Sequence, residues 1–490
     1  MSSNYLLKSA GDRPHSTSIH ILDDDSLINV FYLYRPVRLG EEEDMEARFS
    51  EDAEWAHERW WYKLAQVCRR WRRLVLGSAS YLDLCLLCTH GTPVADMLAH
   101  SPPLPVIIDY LDESHGITAE DEENIMLALQ HRDRVRRIRL QMPILNLRKI
   151  IIAIDEEFPM LEYLYIGDLA NAISRLILPE TFRAPHLQHL LLESVVDPIG
   201  SPFLSAAVGL VTLFLSPIPL SAYFPPNDFL SMLAVLPQLE ILGIAFLYPI
   251  PNRDVEWQLL HMPIMTRVTL PDLRWFLFRG VCAYLEALLP HITTPLLEML
   301  QIGFFNQLTI SLPCLQHFTT TTEKLRFNCA RLKFDEKTVS IAACPREWGA
   351  AMEPLFTTVD SAHLDWQVAS LAQISNALRT IFSVVEYLTL EYSRSSISPE
   401  WHNEADRAQW RELLRSFGNV KTLSVPDGLI GELSRSLQLD DGESPTELLP
   451  ELKELSFPAS SDSNPDADDA FTAFAEARQN AGHSFVLVRR

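Results

Sequence analysis

Glycine is scarce in this chain, 17 of 490 residues, and no GxxxxGK[ST], GxGxxG or GxSxG pattern occurs. Loops that cradle phosphate, or that hold a nucleophile on a strained turn, depend on such patterns, so the sequence offers no support for nucleotide-dependent or serine-hydrolase chemistry. HExxH is missing as well. The seven cysteines are too few and too dispersed for a disulfide framework, and they fit buried thiols in a reducing compartment. No Asn-x-Ser/Thr sequon occurs and the first residues hold no apolar run of signal-peptide length, so the expected location is cytoplasmic or nuclear. Positive charge is in deficit, 41 Lys+Arg against 64 Asp+Glu for a net charge of -23, which argues against nucleic acid as the principal partner. A membrane span is not expected either. The uncharged stretch 198–227 is broken by Pro202 and Pro217, and the segment between them is shorter than the ~20 residues a spanning helix needs.

What is present is a chain of globular composition, 47% hydrophobic and 21% charged, long enough for more than one small domain. Residues 60–76, WWYKLAQVCRRWRRLVL, place Leu64, Val67, Cys68, Trp71, Leu74 and Val75 at the spacing of one buried helix face, with Arg69, Arg70, Arg72 and Arg73 on the other side. Residues 22–34 repeat that spacing with Leu27, Val30, Phe31 and Tyr34, behind a run of aspartates suited to the positive end of a helix dipole. Between them lies an acidic insert, 40–58, read as a solvated loop.

These residues resemble the F-box, a helical module that runs from a Leu-Pro opening and an Ile-Phe pair to a Val-Cys-x-x-Trp stretch. Leu22, Val30 and Phe31 match the first part, and Val67, Cys68 and Trp71 the second; the family's proline falls on Asp23. The resemblance covers roughly a tenth of the chain, on the scale of one small helical unit. It implies a substrate receptor of a cullin-RING ubiquitin ligase. Leu22, Leu27, Val30, Phe31, Leu64, Val67, Cys68 and Trp71 would then build the module's core or meet a Skp-type adaptor carried on the cullin scaffold.

From residue 135 an LxxLxL pattern recurs, at Val135/Ile138/Leu140, Leu161/Leu164/Ile166, Leu187/Leu190/Leu192, Leu210/Leu213/Leu215, Leu239/Leu242/Ile244 and Met265/Val268/Leu270. Further copies are Leu297/Leu300/Ile302, Leu315/Phe318/Thr320, Val385/Leu388/Leu390, Val420/Leu423/Val425 and Leu452/Leu455/Phe457, with degenerate candidates at Cys329/Leu332/Phe334 and Ser361/Leu364/Trp366. Each copy reads as a short parallel strand whose apolar side only a stacked neighbour can cover. Helices are expected between copies, as at 226–236, and a helix near 471–478 and a strand at 484–488 close the chain. The pattern resembles the leucine-rich repeats that many F-box proteins carry. The asparagine such repeats place three residues after the last apolar position is absent, being Leu169, Val195, Leu247 and Phe305 in four copies. The turns must therefore satisfy their backbone groups in another way.

The expected organisation is α/β: a flexible N-terminus 1–18, an F-box-like helical module 19–78 and an irregular leucine-rich-repeat solenoid 79–490, with parallel strands, outer helices and a flexible acidic segment near 459–470. Strand alternation turns Arg137, Arg139, Tyr163, Tyr165, His189, Phe214, Arg267, Met299, Gln301, His317 and Tyr387 toward the concave face, where a protein target would bind. Cys85, Cys88 and His90 make CxxCxH without a second ligand pair, so no metal is expected, and no cofactor or catalytic residue. The alternative is a repeat scaffold with no ligase role, its helical module only closing one end of the array.

Overall fold

The computed structural model describes residues 21–35, 60–111, 116–168, 176–193, 201–219, 222–247, 263–307, 309–322, 325, 327–345, 353–393, 406–439, 443–458 and 465–489. The chain divides into two compact units. One comprises Met1–Leu87 with Pro93–Ile107, and the other Cys88–Thr92 with Ile108–Arg490. The acidic insert and the 459–464 part of the acidic segment lie outside the described residues.

In the first unit, α1 (Asp24–Tyr34) starts where the Asp23 side chain accepts the Ser26 amide at 2.6 Å, and Asp24 and Asp25 occupy its first turn. The position where the F-box pattern has proline is thus a helix cap, and the bond from Ser26 holds the Asp23 carboxyl below its ordinary value. Leu27 and Phe31 are buried one turn apart. The stretch expected to form one helix over 60–76 forms two, α2 (Trp60–Val67) and α3 (Arg69–Gly77). Cys68 breaks it: its backbone is extended at φ −159 and its sulfur accepts the Trp71 amide at 3.5 Å, so it serves as the cap of α3. Phe31 and Trp71 meet edge-on with ring centroids 4.8 Å apart. Arg70 ties the helices, 2.7 Å from the Asp24 carboxylate and 2.7 Å from the Leu22 carbonyl. Next come the start of β1 (Leu86–Cys88), α4 (Val94–His100) and the start of β2 (Val106–Leu111), with Cys85, Leu87 and Ile107 in one apolar cluster.

The second unit is built on one sheet. After α5 (Ala119–Leu129) come β3 (Val135–Met142), α6 (Ile144–Ile151), β4 (Tyr163–Asp168), β5 (His189–Glu193), α7 (Pro202–Ala206), β6 (Thr212–Ile218), α8 (Pro226–Leu233) and β7 (Ile241–Phe246). Then follow β8 (Val268–Thr269), β9 (Trp275–Gly280), α9 (Cys282–Leu288), β10 (Ile292–Thr293), β11 (Met299–Phe304), α10 (Pro313–Thr321), β12 (Cys329–Phe334), β13 (Thr338–Cys344) and β14 (Leu355–Asp360). The remainder is α11 (Leu364–Ala377), α12 (Arg379–Phe382), β15 (Tyr387–Tyr392), α13 (Arg407–Arg415), β16 (Thr422–Ser424), α14 (Ile430–Leu437), β17 (Glu454–Phe457), α15 (Pro465–Asn480) and β18 (Val486–Arg489). From residues 108–111 of β2 the sheet order is β3, β4, β5, β6, β7, β9, β11, β14, β13, β12, β15, β16, β17, β18. Neighbouring strands from β3 onward are parallel, except that β13 runs against both β12 and β14. From β3 to β11 the parallel strands follow chain order, apart from the β8/β10 pair, with helices in four of the connections among the described residues, a leucine-rich-repeat-like array.

One core row runs through Ile138, Leu164, Leu190, Leu213, Leu242, Phe276, Leu300 and Leu355 in direct register, every side chain buried. Burial stabilises each such side chain by about 1.5–3 kcal/mol. With no asparagine ladder, longer side chains satisfy the turns. Gln307 accepts the Cys282 amide at 3.1 Å, and Glu286 accepts the Cys314 and Leu315 amides at 2.7 and 2.9 Å at the start of α10. Buried Gln367 donates to the carbonyls of Asp335, Thr338 and Ser361.

Three expected repeat copies lie elsewhere. Val268 belongs to a separate two-stranded sheet with β10, Met265 is exposed, and the main sheet instead takes Phe276 and Phe278 of the following segment, with Leu273 buried just ahead of the strand. Leu315, Phe318 and Thr320 lie in α10, since LxxL is also the i, i+3 spacing of a helix and Pro313 with the Glu286 carboxylate starts one there. Leu364 and Trp366 begin α11, and Trp366 is exposed.

Candidate interaction surfaces

The open face of the sheet is made by the residues that alternate with the core rows. Its first row runs Arg137, Tyr163, His189, Thr212, Ile241, Trp275, Met299 in register. The Arg137 guanidinium lies 4.8 Å from the Tyr163 ring centroid, Tyr163 and His189 rings are 6.0 Å apart, and His189 Nδ1 is 3.0 Å from the Thr212 hydroxyl. The second row runs Arg139, Tyr165, Leu191, Phe214, Gly243, Leu277, Gln301, Phe356. It continues through Ala342, Arg331 and Thr389.

The face changes chemistry along these rows. At the β3–β5 end, Arg139 lies over the Tyr165 ring at 5.9 Å and 3.9 Å from Asp109, and the Tyr165 hydroxyl donates to Glu193 at 2.9 Å. Burial pushes the Glu193 carboxyl above its ordinary value, against the Tyr165 hydrogen bond and the Arg139 charge, and burial beside Glu193 pushes the Tyr165 phenol up. From β5 to β14 the two rows are mostly apolar: Leu191, Ile241, Trp275 and Met299, which are buried, and Phe214, Leu277 and Phe356, which are part-exposed, with Thr212 and Gln301 among them. Gly243 is required there, because a Cβ would come within 2.2 Å of the Phe214 ring, which lies across it. Trp275 is only 9% exposed, and its buried Nε1 has no acceptor among the described residues. Arg279 on β9 interrupts this stretch, 2.8 Å from Asp360 at the end of β14, and beyond β14 charge returns with Arg331 3.4 Å from Glu353 and 3.1 Å from Glu391.

Arg137, Arg139, Tyr163, Tyr165, His189, Phe214, Met299, Gln301 and Tyr387 therefore all sit on strands at open-face positions. Arg267 does not: it precedes β8, outside the main sheet, because the Met265 copy is not a main-sheet strand. His317 does not either, being exposed on helix α10. Leu191 and Ile241 were missed because only polar and aromatic alternating positions were read, and Trp275, Leu277 and Phe356 because β9 and β14 fall on no expected copy. Their signal was register: they fill the same alternating places as Arg139 or Tyr163, but an aliphatic there looks like a strand buried on both sides.

On the helical unit, the eight positions named for the F-box resemblance divide. Leu27, Phe31 and Leu64 are buried, Cys68 caps α3 and Trp71 packs on Phe31, while Leu22, Val30 and Val67 are exposed. Val30, Leu33 and Tyr34, spaced i, i+3, i+4 along one flank of α1, are all exposed, Leu33 to 81%.

The CxxCxH residues form no ligand cluster. Cys85 and Cys88 are buried, and His90 places Nε2 2.9 Å from the Leu111 carbonyl and Nδ1 3.6 Å from Asp121. Among the described residues no group of three or more His, Cys, Asp or Glu is placed to hold a metal ion, and no helix is long and apolar enough to cross a membrane.

No protein-family description matches the chain, and no curated protein matches it. Among solved structures, the leucine-rich repeat-containing protein LegL7 from Legionella pneumophila is similar at 11% identity, with 74% of this chain and 95% of that chain covered and a TM-score of 0.25. The leucine-rich-repeat character of the second unit rests on its own parallel strands, laid down in chain order from β3 to β11 apart from the separate β8/β10 pair.

Proposed function

We propose that this chain is a non-enzymatic substrate receptor of a cullin-RING ubiquitin ligase. In this reading residues 19–78 act as an F-box-like module for a Skp-type adaptor, and the open sheet face of residues 79–490 captures the protein to be ubiquitinated. The observation that carries the reading is the division of the helical positions. Leu27 and Phe31 are consumed by the unit's own packing, whereas Val30, Leu33, Tyr34 and Val67 are left in solvent. Exposed apolar side chains on one flank of a helix are what a partner helix covers. The target side draws on Arg137, Arg139 and Tyr163, residue types enriched in interface hot spots. Such a receptor works in the cytoplasm or nucleus.

Co-purification of the full chain with a Skp-type adaptor tests this. The wild type is expected to retain the adaptor, and a Val30→Asp, Leu33→Asp double variant to lose it with an unchanged circular-dichroism spectrum, both positions being exposed. A wild type that retains no adaptor sinks the ligase reading and leaves a repeat scaffold.

A further inference from the structure

Two of the seven cysteines are placed face to face by the strand inversion in the middle of the sheet. β12 and β13 are antiparallel, and their register sets Cys329 directly opposite Cys344. Ala330, Leu332 and Phe334 on one strand and Val339, Ile341 and Ala343 on the other are buried core residues, so Cys329 and Cys344 both belong to the open face. Both are part-exposed, unlike Cys85, Cys88 and Cys282, which are buried.

Directly opposed residues of an antiparallel pair have Cα atoms about 4.5 or 5.5 Å apart, according to whether the pair is hydrogen-bonded. Both spacings lie within the roughly 4.4–6.8 Å that a disulfide spans. The Cβ atoms start about 4.5–5.5 Å apart, so bonding needs an approach of about 1 Å to reach the usual 3.5–4.5 Å. Partial exposure gives a small oxidant access to both sulfurs.

We propose that Cys329 and Cys344 form a redox-active dithiol that a peroxide converts reversibly to a cross-strand disulfide. One thiol gives up its proton and the thiolate attacks a peroxide oxygen, its sulfur becoming a sulfenic acid as the O–O bond breaks and the departing hydroxide takes that proton as water. The second thiol likewise loses its proton and attacks the sulfenic sulfur, forming the S–S bond as the S–O bond breaks and the departing hydroxide leaves as a second water. Two thiols and one hydrogen peroxide thus give one disulfide and two waters, the two sulfurs supplying the two electrons. In a reducing compartment such a bond is transient, as disulfides of redox sensors are. It would clamp β12 to β13 beside Arg331, which shares this face and pairs with Glu353 and Glu391.

The test uses the full chain, reduced, freed of reductant and exposed to one equivalent of hydrogen peroxide, then digested without reduction and read by mass spectrometry. The expected product is a peptide pair linked through Cys329 and Cys344, two hydrogens lighter than the sum of the reduced peptides and separated again by a phosphine reductant. In Cys344→Ser the link is expected to vanish and Cys329 to gain oxygen instead, because burial pushes the Cys344 thiol above its ordinary value and leaves Cys329 as the better peroxide nucleophile. Oxygen additions on the wild-type cysteines without the 329–344 link, or links spread over other cysteine pairs, would overturn the assignment.

Discussion

The run from β3 to β7 and the meander from β12 to β14 build the same sheet by opposite means. In the run each strand is followed by a crossover that returns the chain parallel to its predecessor, and chain order is spatial order. In the meander the chain reverses at a tight turn, where the Asp335 carboxylate accepts the amides of Lys337 and Thr338 at 2.9 and 2.8 Å, and spatial order runs β14, β13, β12. The core nonetheless continues across both, because side-chain alternation has a period of two whichever way a strand runs. Leu332, Ile341 and Val359 are as buried as Leu190 and Leu213. Burial pattern, not strand direction, is what the array preserves.

Truncating one core leucine in each region is the most forceful way to break this comparison. Leu213→Ala in the run and Leu332→Ala in the meander each remove a fully buried side chain, and each should cost about 2–5 kcal/mol in urea unfolding. If one core spans both, the two variants lose stability within a single transition each. A Leu332→Ala variant that unfolds in two steps, with the run unaffected in the second, would show the meander to be a separate cooperative unit.

The same contrast explains what could be read in the sequence. The run was legible because each crossover resets the chain to LxxLxL, and β3 to β7, β11 and β15 to β17 fall on expected copies. The meander was only half legible: Leu332 and Phe334 were found, but β13 and β14 follow no such pattern, β13 being specified by the Asp335 turn and its pairing with β12, and β14 by its pairing with β13 and β11. Phe276 and Phe278 of β9, with Leu273 just ahead of it, were hidden by Phe in the Leu places, with the competing Met265 copy just upstream. Leu315 and Phe318 were misplaced because three-residue spacing serves helix and strand alike until Glu286, distant in sequence, caps α10. For the surfaces, alternation indicated which residues share the open face, whereas the exposure that separates Val30 from Phe31 depends on packing against Trp71.

A gentler probe lies on the meander's core face. Thr357 stands in register between Ile302 and Ile341, 1% exposed, and its hydroxyl has no partner among the described residues. The run has aliphatics in the matching row, Leu140, Ile166, Leu192, Leu215 and Ile244. Thr357→Val keeps the β-branched shape and removes a buried unsatisfied group, so it should raise stability by about 1 kcal/mol. A loss in thermal or urea unfolding would mean that the hydroxyl is bonded and that the meander's core is not equivalent to the run's.

The smallest effect concerns charge at the other end of the comparison, where the run's open face buries Glu193. Burial raises its carboxyl above the usual 4.5, and the Tyr165 hydroxyl and Arg139 only partly offset that. The native state therefore holds this proton to a higher pH than the unfolded chain does. The contribution to stability is fully present below 4.5 and is lost as pH rises through the native value, because above it the ionised group carries its desolvation cost. Glu193→Gln removes this slope, so its stability relative to wild type should increase from pH 4 to pH 7 when both are unfolded in urea. Tyr165→Phe should act the other way: it takes away the hydroxyl that donates to the carboxylate, raises the Glu193 carboxyl further and deepens the loss toward neutral pH. Variants offset from wild type by the same amount at both pH values would show that Glu193 ionises alike in the folded and unfolded chain, and that this end of the face is as well solvated as the charged end beyond β14.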